Sequence, residues 1–270
     1  MSGEKEMSFL DHLEELRVRL IRIAIGVAVG AALVFIFKSQ FEYVLLAPSQ
    51  GDFITFTKLC DFSNAVGLDD ALCVETRDIT IQSVDVAGTF LAHFMVSIIA
   101  GIIISFPFIF SQIWMFIKPG LRKREIKSVR GIGFWTSFLF LLGVSFGYFI
   151  LSPISIRFLV NYEFLGGVSV PTHGSYVKLV ASLSLLTGLL FQLPVVIYFL
   201  SKIGLVTSDG LRKFRKHVFV GVLVLAALIT PPDVFSQLIV SIPILILYEI
   251  SIKISGRINR LHANESVVET

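Results

Sequence analysis

Long runs of apolar residues, almost free of charge, alternate with short polar segments along the chain. A helix needs about 20 mainly apolar residues to cross roughly 30 Å of hydrocarbon. Four runs approach or exceed that length, at residues 20–37, 84–110, 132–151 and 177–200. Two further runs, 217–230 and 234–250, flank a pair of prolines and are read as a tight hairpin of short fifth and sixth spans. The pattern predicts an all-α polytopic membrane protein with six transmembrane helices, because lipid offers no hydrogen-bond partner to open backbone.

The composition agrees with a single integral membrane domain over residues 1–270. Hydrophobic residues make up 54% of the chain and charged residues only 16%, against roughly a quarter in an ordinary soluble domain. The mean hydropathy is +0.82. These values exclude a disordered chain, a coiled coil and a nucleic-acid-binding surface. The net charge of +3 is too small to indicate a polyanionic partner.

The distribution of basic residues predicts the orientation in the membrane. The N-terminal segment, the second and fourth loops and the C-terminal tail together carry 18 of the 23 Lys and Arg residues. Under the positive-inside rule, both termini are cytoplasmic. The first apolar run follows a charged segment and lacks a small-residue cleavage site, so we expect it to remain as an anchor in the cytoplasmic membrane. Residues 257–270 are expected to form a flexible cytoplasmic tail.

The first outside loop, from Lys38 to Asp85, is long and acidic, and it holds both cysteines of the chain, Cys60 and Cys73. A disulfide persists outside the cytoplasm, and thirteen residues separate the two positions. We predict a Cys60–Cys73 disulfide. The alternative is two free thiols.

Residues 8–20 read as an amphipathic cytoplasmic helix that leads into the first span. Its apolar positions recur at helical spacing, so one face can lie on the membrane or pack on other helices. Its charged residues are spaced for pairing of Glu14 with Arg17 and of Glu15 with Arg19. Such pairs can simply support the helix, and the pattern alone favours that interpretation.

Four stretches of the chain resemble the TatC family, the polytopic subunit of the twin-arginine protein translocase. HLEELRVRL at residues 12–20 is similar to the opening signature of that family, and FIKPGL at 116–121 to its first cytoplasmic loop. TPPDVFSQ at 230–237 is similar to the turn between its spans five and six, and Pro48 lies just outside span one. The four stretches occur in the family's order.

The resemblance implies a receptor for signal peptides that carry paired arginines on already folded proteins. It implies export across the cytoplasmic membrane with small single-span TatA/TatB-type partner subunits, driven by the proton-motive force. It also implies a homo-oligomer within the complex, no enzymatic activity, and no cofactor or metal.

The resemblance also implies which residues bind the signal peptide. A guanidinium is planar and forked, so a carboxylate can hold it through two parallel hydrogen bonds. By analogy with the family the two carboxylates are Glu15 and Glu125, with Leu16, Arg17, Phe116 and Lys123 around them. Arg17 and Lys123 are expected to orient the carboxylates or steer the loop. The alternative for Glu125 is a local salt bridge to Arg122 or Lys123.

Several other polar or proline positions carry open alternatives. Pro48, Gln192 and Asp233 are assigned a structural or translocation role. Gln192 precedes Pro194, so its side chain either bonds the carbonyl of Leu190, which the proline frees, or contacts cargo or partner. Many relatives have Glu there, so a mechanism that needs a titrating group at 192 is in doubt. Thr230 and Gln237 flank the proline turn, where they either cap helices or dock partner subunits.

Two glycine pairs, Gly26 with Gly30 and Gly143 with Gly147, permit close helix approach and are weak support for a homo-oligomer. The competing function is a small-solute or ion secondary transporter. Against it, inverted repeats are not clear and charge is almost absent at mid-membrane depth. An intramembrane enzyme lacks support, because paired Asp, HExxH and GxSxG motifs are absent from the sequence.

Overall fold

The apolar runs of the sequence fold into helices in the computed structural model, which describes residues 9–67, 79–83, 87–120, 131–162, 170–230 and 234–268. The α-helices of these residues are α1 (Phe9–Ile36), α2 (Lys38–Leu46), α3 (Ile54–Val66), α4 (Gly88–Ile117), α5 (Ile132–Phe146), α6 (Ser152–Asn161), α7 (His173–Leu190), α8 (Leu193–Lys202), α9 (Ser208–Lys213), α10 (Arg215–Ile229) and α11 (Val234–Val268). Short 3-10 turns cover Ala47–Ser49 and Lys118–Gly120, and a π-helical turn, Gly147–Leu151, joins α5 to α6.

Five stretches of the described chain are long and apolar enough to cross a membrane. They are Leu10–Ile36, Gly88–Ile117, Ile132–Asn161, His173–Lys202 and Ser236–Arg260. The all-helical, multi-pass architecture predicted from the sequence is therefore confirmed. The predicted span that is not among these five is the fifth, which corresponds to α10; this helix has only 15 residues and reaches about 22 Å at 1.5 Å per residue. The count of six spans stays a prediction.

The fifth predicted span is short, but the prediction of a short sixth span is wrong. Helix α11 has 35 residues, because apolar positions continue past 250 on the face that meets the bundle. Ile252 and Ile258 are both buried, and the Ser255 hydroxyl is hydrogen-bonded to that of Ser201 at 2.8 Å. Residues 257–268, expected from the sequence to be a flexible tail, continue α11 as a helix, and the flexibility of this segment stays a prediction.

The N-terminal segment also differs from its predicted form. Residues 9–36 make one uninterrupted helix, where the sequence predicted an amphipathic helix over 8–20 followed by a span over 20–37. The N-terminal, charged part of α1 is therefore a direct extension of the first span. Its side chains are held at a fixed height relative to the bundle.

The long helices run between two ends of the bundle, which we name by their residues. The basic end comprises residues 9–22, 112–120, 202–217 and 249–260. The loop end comprises residues 38–67, 79–83, 87–93 and 170–176. Helices α1 and α4 are antiparallel, because His12 stacks on Phe116 at the basic end and Phe35 stacks on His93 at the loop end.

Helices α1 and α4 approach each other through glycines. A Cβ atom on Gly101 would lie 2.5 Å from the backbone nitrogen of Ala31, and one on Gly30 would lie 3.0 Å from the Gly101 carbonyl oxygen. One turn away, the Ser105 hydroxyl donates to the Gly26 carbonyl oxygen at 2.9 Å. This backbone-to-backbone contact leaves no room for sliding, so it fixes the register of the two helices.

The second glycine pair joins α5 and the π turn to α7. A Cβ atom on Gly143 would lie 2.8 Å from the carbonyl oxygen of Thr187, and one on Gly147 would lie 2.8 Å from that of Leu183. Both glycine pairs singled out in the sequence thus pack within one chain. They give no support to the predicted homo-oligomer, which stays a prediction.

The loop end is built around Pro48, which is fully buried in the 3-10 turn after α2. The Tyr148 hydroxyl donates to the Val44 carbonyl oxygen, and the Tyr176 hydroxyl donates to the Leu45 carbonyl oxygen at 2.9 Å. Two spans are thereby tied to the chain just before Pro48. The structure places Pro48 as a packing residue of this end.

Cys60 lies on α3 and takes part in a disulfide bond. Cys73, the partner predicted from the sequence, lies outside the described residues. The Cys60–Cys73 pairing therefore stays a prediction.

We expect Gly101→Ala to lower the stability of the protein, because its Cβ would meet the backbone of Ala31. Overpacking of this kind costs about 1–3 kcal/mol. The matched control is Gly221→Ala in α10, where an added Cβ meets nothing within 4 Å and gains up to about 1 kcal/mol of helix propensity. Thermal unfolding in detergent micelles measures both variants. Equal stability of the two would contradict the close approach of α1 and α4.

The disulfide prediction is tested by alkylation of the denatured protein. Without reductant, we expect neither Cys60 nor Cys73 to react with a maleimide, and after reduction both should react. Mass spectrometry of the loop peptides identifies the pair. Alkylation of both thiols before reduction would exclude the bond.

Candidate functional site

The basic end of α1 carries Glu15 in a three-residue polar contact. The Glu15 carboxylate accepts a hydrogen bond from Arg19 Nη2 through Oε1 at 3.1 Å, and the two side chains are 21% and 18% exposed. The other terminal nitrogen, Arg19 Nη1, donates to Gln112 Oε1 on α4 at 3.2 Å. Glu15 is thus half-buried, oriented, and linked through Arg19 to the second span.

The two charge pairs expected along α1 both form, and they differ in kind. Arg17 lies 3.7 Å from Glu14, and both side chains are largely exposed. A pair of that type adds little to stability, so Arg17 and Glu14 remain accessible to a ligand. Leu16 is half-buried beside them. Of the two acids, only Glu15 pairs with an arginine that is itself hydrogen-bonded to another helix.

These side chains line a shallow groove along α1 at the basic end. Its lining residues are Asp11, Glu14, Glu15, Val18, Arg19 and Arg22. Three carboxylates and two guanidinium groups therefore line this groove, so its acidic groups outnumber its basic ones. Such a groove suits a cationic ligand.

Phe116 sits next to this groove, at the end of α4. Its ring stacks on His12 with centroids 4.4 Å apart and planes 16° from parallel, and the side chain is half-buried. The structure thus brings the predicted residues Glu15, Leu16, Arg17 and Phe116 to one end of two adjacent helices. Predicted site residues Lys123, Glu125 and Asp233 lie outside the described residues.

Gln192 lies at the break between α7 and α8, two residues before Pro194. Its Nε2 donates to the carbonyl oxygen of Thr136 on α5 at 3.1 Å. The side chain therefore bridges two spans, and the expectation that it bonds the freed carbonyl of Leu190 is wrong. Its Oε1 atom is buried and has no hydrogen-bond partner among the described residues. Gln192 thus carries one satisfied and one unsatisfied polar atom.

Thr230 and Gln237 both bond within the α10–α11 hairpin. The Thr230 hydroxyl donates to the Ala226 carbonyl oxygen at 3.0 Å, and Thr230 is buried. Gln237 Nε2 donates to the Leu223 carbonyl oxygen at 2.9 Å. The Thr230 bond lies at the C-terminal end of α10, where a cap would lie, whereas the Gln237 bond joins α11 to the middle of α10 and caps neither helix. Their role in docking a partner subunit stays a prediction.

The sequence analysis missed two polar residues that the structure makes prominent. Gln112 is 5% exposed on α4 and accepts from Arg19. Arg157 is 8% exposed on α6, with its guanidinium carbon 4.7 Å from the centroid of the Phe56 ring. The signal for Gln112 was its place directly after an apolar run, where buried polar side chains find a partner or a role.

A transporter or metal site finds no support in the described part of the chain. There, no group of three or more His, Cys, Asp or Glu side chains comes together as a metal site would require. The cavities between the described helices are lined mainly by apolar side chains such as Val96, Ile99 and Val180.

We expect Gln192→Met to change the stability of the protein by less than about 1 kcal/mol, because the lost hydrogen bond is offset by removal of a buried, unpaired oxygen. Thermal unfolding in detergent compares the variant with wild type. Loss of more than about 2 kcal/mol would show that Gln192 is mainly a structural bridge. Impaired transport by a variant of wild-type stability would show a functional contact.

Comparison with known proteins agrees with this geometry. The chain matches the family described as Sec-independent protein translocase protein (TatC) over residues 11–243. The TatC protein of Blattabacterium sp. subsp. Periplaneta americana is 38% identical over 267 residues, which cover 96% of this chain and 99% of the relative. The TatCy protein of Bacillus subtilis (strain 168) is 34% identical over 251 residues, with 93% and 89% covered.

Two solved structures share the fold. A crystal structure of the twin arginine translocase receptor TatC matches with a TM-score of 0.69 at 30% identity, over 90% of this chain and 97% of that one. A second, in the detergent DDM, gives a TM-score of 0.72 at 29% identity, over 91% and 99%. The chain belongs to the TatC family of Sec-independent protein translocases, and it is therefore a multi-pass membrane component of protein translocation and not an enzyme.

Proposed function

We propose that this protein is the receptor of the translocase for signal peptides with paired arginines, and that the peptide binds at the basic end. The observation that carries the proposal is Glu15, whose carboxylate is oriented by Arg19 and faces an acid-lined groove. The related proteins are named as Sec-independent protein translocase proteins, and the related crystal structures are named as twin arginine translocase receptors. The peptide and its contacts are our inference.

The chemistry of the groove matches an arginine ligand. The contact with Arg19 uses one oxygen of the Glu15 carboxylate. A guanidinium from a peptide can therefore form charge-assisted hydrogen bonds with the same group. The paired arginine would be held by Glu125, which follows α4 in the chain. Phe116, Leu16 and Lys123 would border the peptide, and Arg17 would orient the carboxylates or steer the loop.

We propose that the membrane orientation follows the basic residues, with both termini cytoplasmic and six spans in total. The basic end then faces the cytoplasm, where precursors are made. Helix α10 counts as a span in this proposal although it is short. The proton-motive force would supply the energy. Assembly of several copies of this chain in the complex belongs to the same proposal.

We also propose that single-span TatA/TatB-type subunits dock on α10. Three apolar side chains on successive turns of this helix, Val220, Val224 and Leu228, are exposed to 59%, 55% and 77%. They form a continuous apolar stripe on the short helix. Thr230 and Gln237, which bond inside the hairpin, would shape this surface without contacting the partner directly.

We expect Glu15→Ala and Glu125→Ala each to weaken binding of a twin-arginine peptide to the purified full chain in detergent. Losing one carboxylate from a charge-assisted contact costs about 1.5–3 kcal/mol, which corresponds to a tenfold or greater rise in Kd. Fluorescence anisotropy with a labelled peptide measures the affinity, and a twin-lysine peptide serves as the ligand control.

The matched control variant is Glu42→Ala, which removes an exposed glutamate at the loop end. We expect it to bind the peptide as wild type does. Wild-type affinity in both Glu15→Ala and Glu125→Ala would remove these residues from the binding site. Equal loss in Glu42→Ala would show a general charge effect.

A further inference from the structure

A cavity of about 70 Å³ lies at the loop end between α1, α2, α4 and α7. Its volume is several times what one water molecule needs. Most of its walls are apolar, but five polar side chains also line it: Lys38, Glu42, Thr89, His93 and His173. A mainly apolar cavity with a few convergent polar groups is typical of a ligand site.

His93 is a lining residue whose hydrogen bonding is incomplete. Its buried Nε2 atom has no hydrogen-bond partner within the part of the chain that the structure describes. Stacking on Phe35, with ring centroids 4.3 Å apart and planes 14° from parallel, holds the imidazole in place. Buried polar atoms normally have a hydrogen-bond partner, so a group from outside the chain can supply the one that His93 lacks.

Lys38 and Glu42 bring one charge of each sign to this cavity. They lie four residues apart on α2, and both side chains are exposed. They form no ion pair with each other, and neither pairs with any other charge among the described residues. An ammonium and a carboxylate that are both left available suit a ligand that carries a negative and a positive group.

An apolar cleft of about 220 Å³ adjoins the cavity, between α2, α4, α5 and α7. The two share three walls, which are Phe41, Leu45 and Val96. The cleft follows one face of α4 away from the loop end, because its lining residues on that helix recur every three or four positions as far as Ile104. From His93 to Ile104 this face extends about 16 Å at 1.5 Å per residue.

The cleft is open along its side. Three large apolar side chains that line it, Val44, Ile104 and Phe149, are 49%, 52% and 43% exposed. Exposed apolar surface of this kind marks contact with a membrane or a partner. A polar cavity at the end of the bundle, followed by an apolar cleft toward its middle, has the same order as the head group and acyl chain of a phospholipid.

We propose that a phospholipid with a phosphoethanolamine head binds here, with its head in the cavity and one acyl chain along the cleft. Its phosphate accepts hydrogen bonds from Lys38 and His93, and its ammonium pairs with Glu42. A phosphoglycerol head has the phosphate but no cation for Glu42, so it binds more weakly. The inference uses residues at the opposite end of the bundle from the peptide groove and does not depend on the proposed function.

The test is native mass spectrometry of the delipidated full chain in detergent, titrated with phosphatidylethanolamine or phosphatidylglycerol of the same acyl chains. We expect a Kd several-fold lower for phosphatidylethanolamine. Lys38→Met and His93→Phe should each raise that Kd about fivefold or more, because each removes a donor to the phosphate. The phenylalanine keeps an aromatic ring against Phe35. Lys178→Met is the matched control, because Lys178 is exposed on α7 and lines neither the cavity nor the cleft; it should bind as wild type does.

Two further variants separate the head from the chain. Glu42→Gln removes the partner of the lipid ammonium but leaves the phosphate contacts, so the preference for phosphatidylethanolamine should largely disappear. Ala100→Leu adds bulk to the wall of the cleft, so both lipids should bind more weakly and their Kd ratio should stay unchanged.

Three outcomes would overturn the inference. The first is equal affinity of the wild-type protein for the two lipids, or wild-type lipid affinity in both Lys38→Met and His93→Phe. The second is a loss in Lys178→Met as large as that in Lys38→Met, which would show a general charge effect. The third is competition by glycerophosphoethanolamine, which has no acyl chains, at the same concentration as the whole lipid, because that result would show a soluble phosphate ligand.

Discussion

The backbone contact between α1 and α4 at Gly26, Gly30 and Gly101 is the constraint on which the rest of the basic end depends. Two long apolar helices in lipid have few directional contacts to fix their register. Here the missing side chains let Ser105 reach the Gly26 carbonyl oxygen. A shift of one residue would rotate a helix by about 100° and would turn Gln112 away from Arg19. The position of the Glu15 carboxylate is thus a consequence of glycine packing about three turns away along α1.

Most buried polar groups in this bundle are hydrogen-bonded within their own helix. Most buried hydroxyls donate back to a carbonyl on their own helix, as Thr187 does to Leu183 and Ser241 does to Gln237. Among the described residues, few of these bonds cross between helices, and two of them hold α11: the Ser155 hydroxyl donates to that of Ser236, and the Ser201 hydroxyl donates to that of Ser255. The spans are therefore rigidly joined. The exposed side chains that could contact a ligand or a partner lie at the ends of the spans and on the short helix α10.

The sequence predicted the helical, multi-pass architecture because lipid imposes one solution on apolar runs. It failed where a local pattern was outweighed by packing. Helix α11 continues beyond the predicted sixth span, and Ile258 on this extension is buried. The sixth span looked short because the apolar run was cut at Ser251, whose hydroxyl bonds Leu247 within the helix. Length alone cannot reveal such self-satisfied polar residues.

In the candidate site, too, contacts within one helix could be predicted and contacts between helices could not. The pairing of Glu15 with Arg19 could be predicted from a four-residue spacing on one helix. The contact of Arg19 with Gln112 could not, because it joins residues 93 positions apart and depends on helix register. The Gln192 bond to Thr136 is a second case. The break before Pro194 can be read from the local sequence. The carbonyl that Gln192 bonds belongs to Thr136 on another span, which the local sequence does not reveal.

The account's central claim is that the arginine pair of a signal peptide meets the receptor at the basic end of α1. Photo-crosslinking tests it most directly, with a diazirine amino acid placed beside the two arginines of a peptide bound to the full chain in lipid nanodiscs. Mass spectrometry of the adducts should find them on residues 11–22 and 116–130, and excess unlabelled twin-arginine peptide should suppress them. Adducts confined to the loop end, or insensitive to that competitor, would contradict the account.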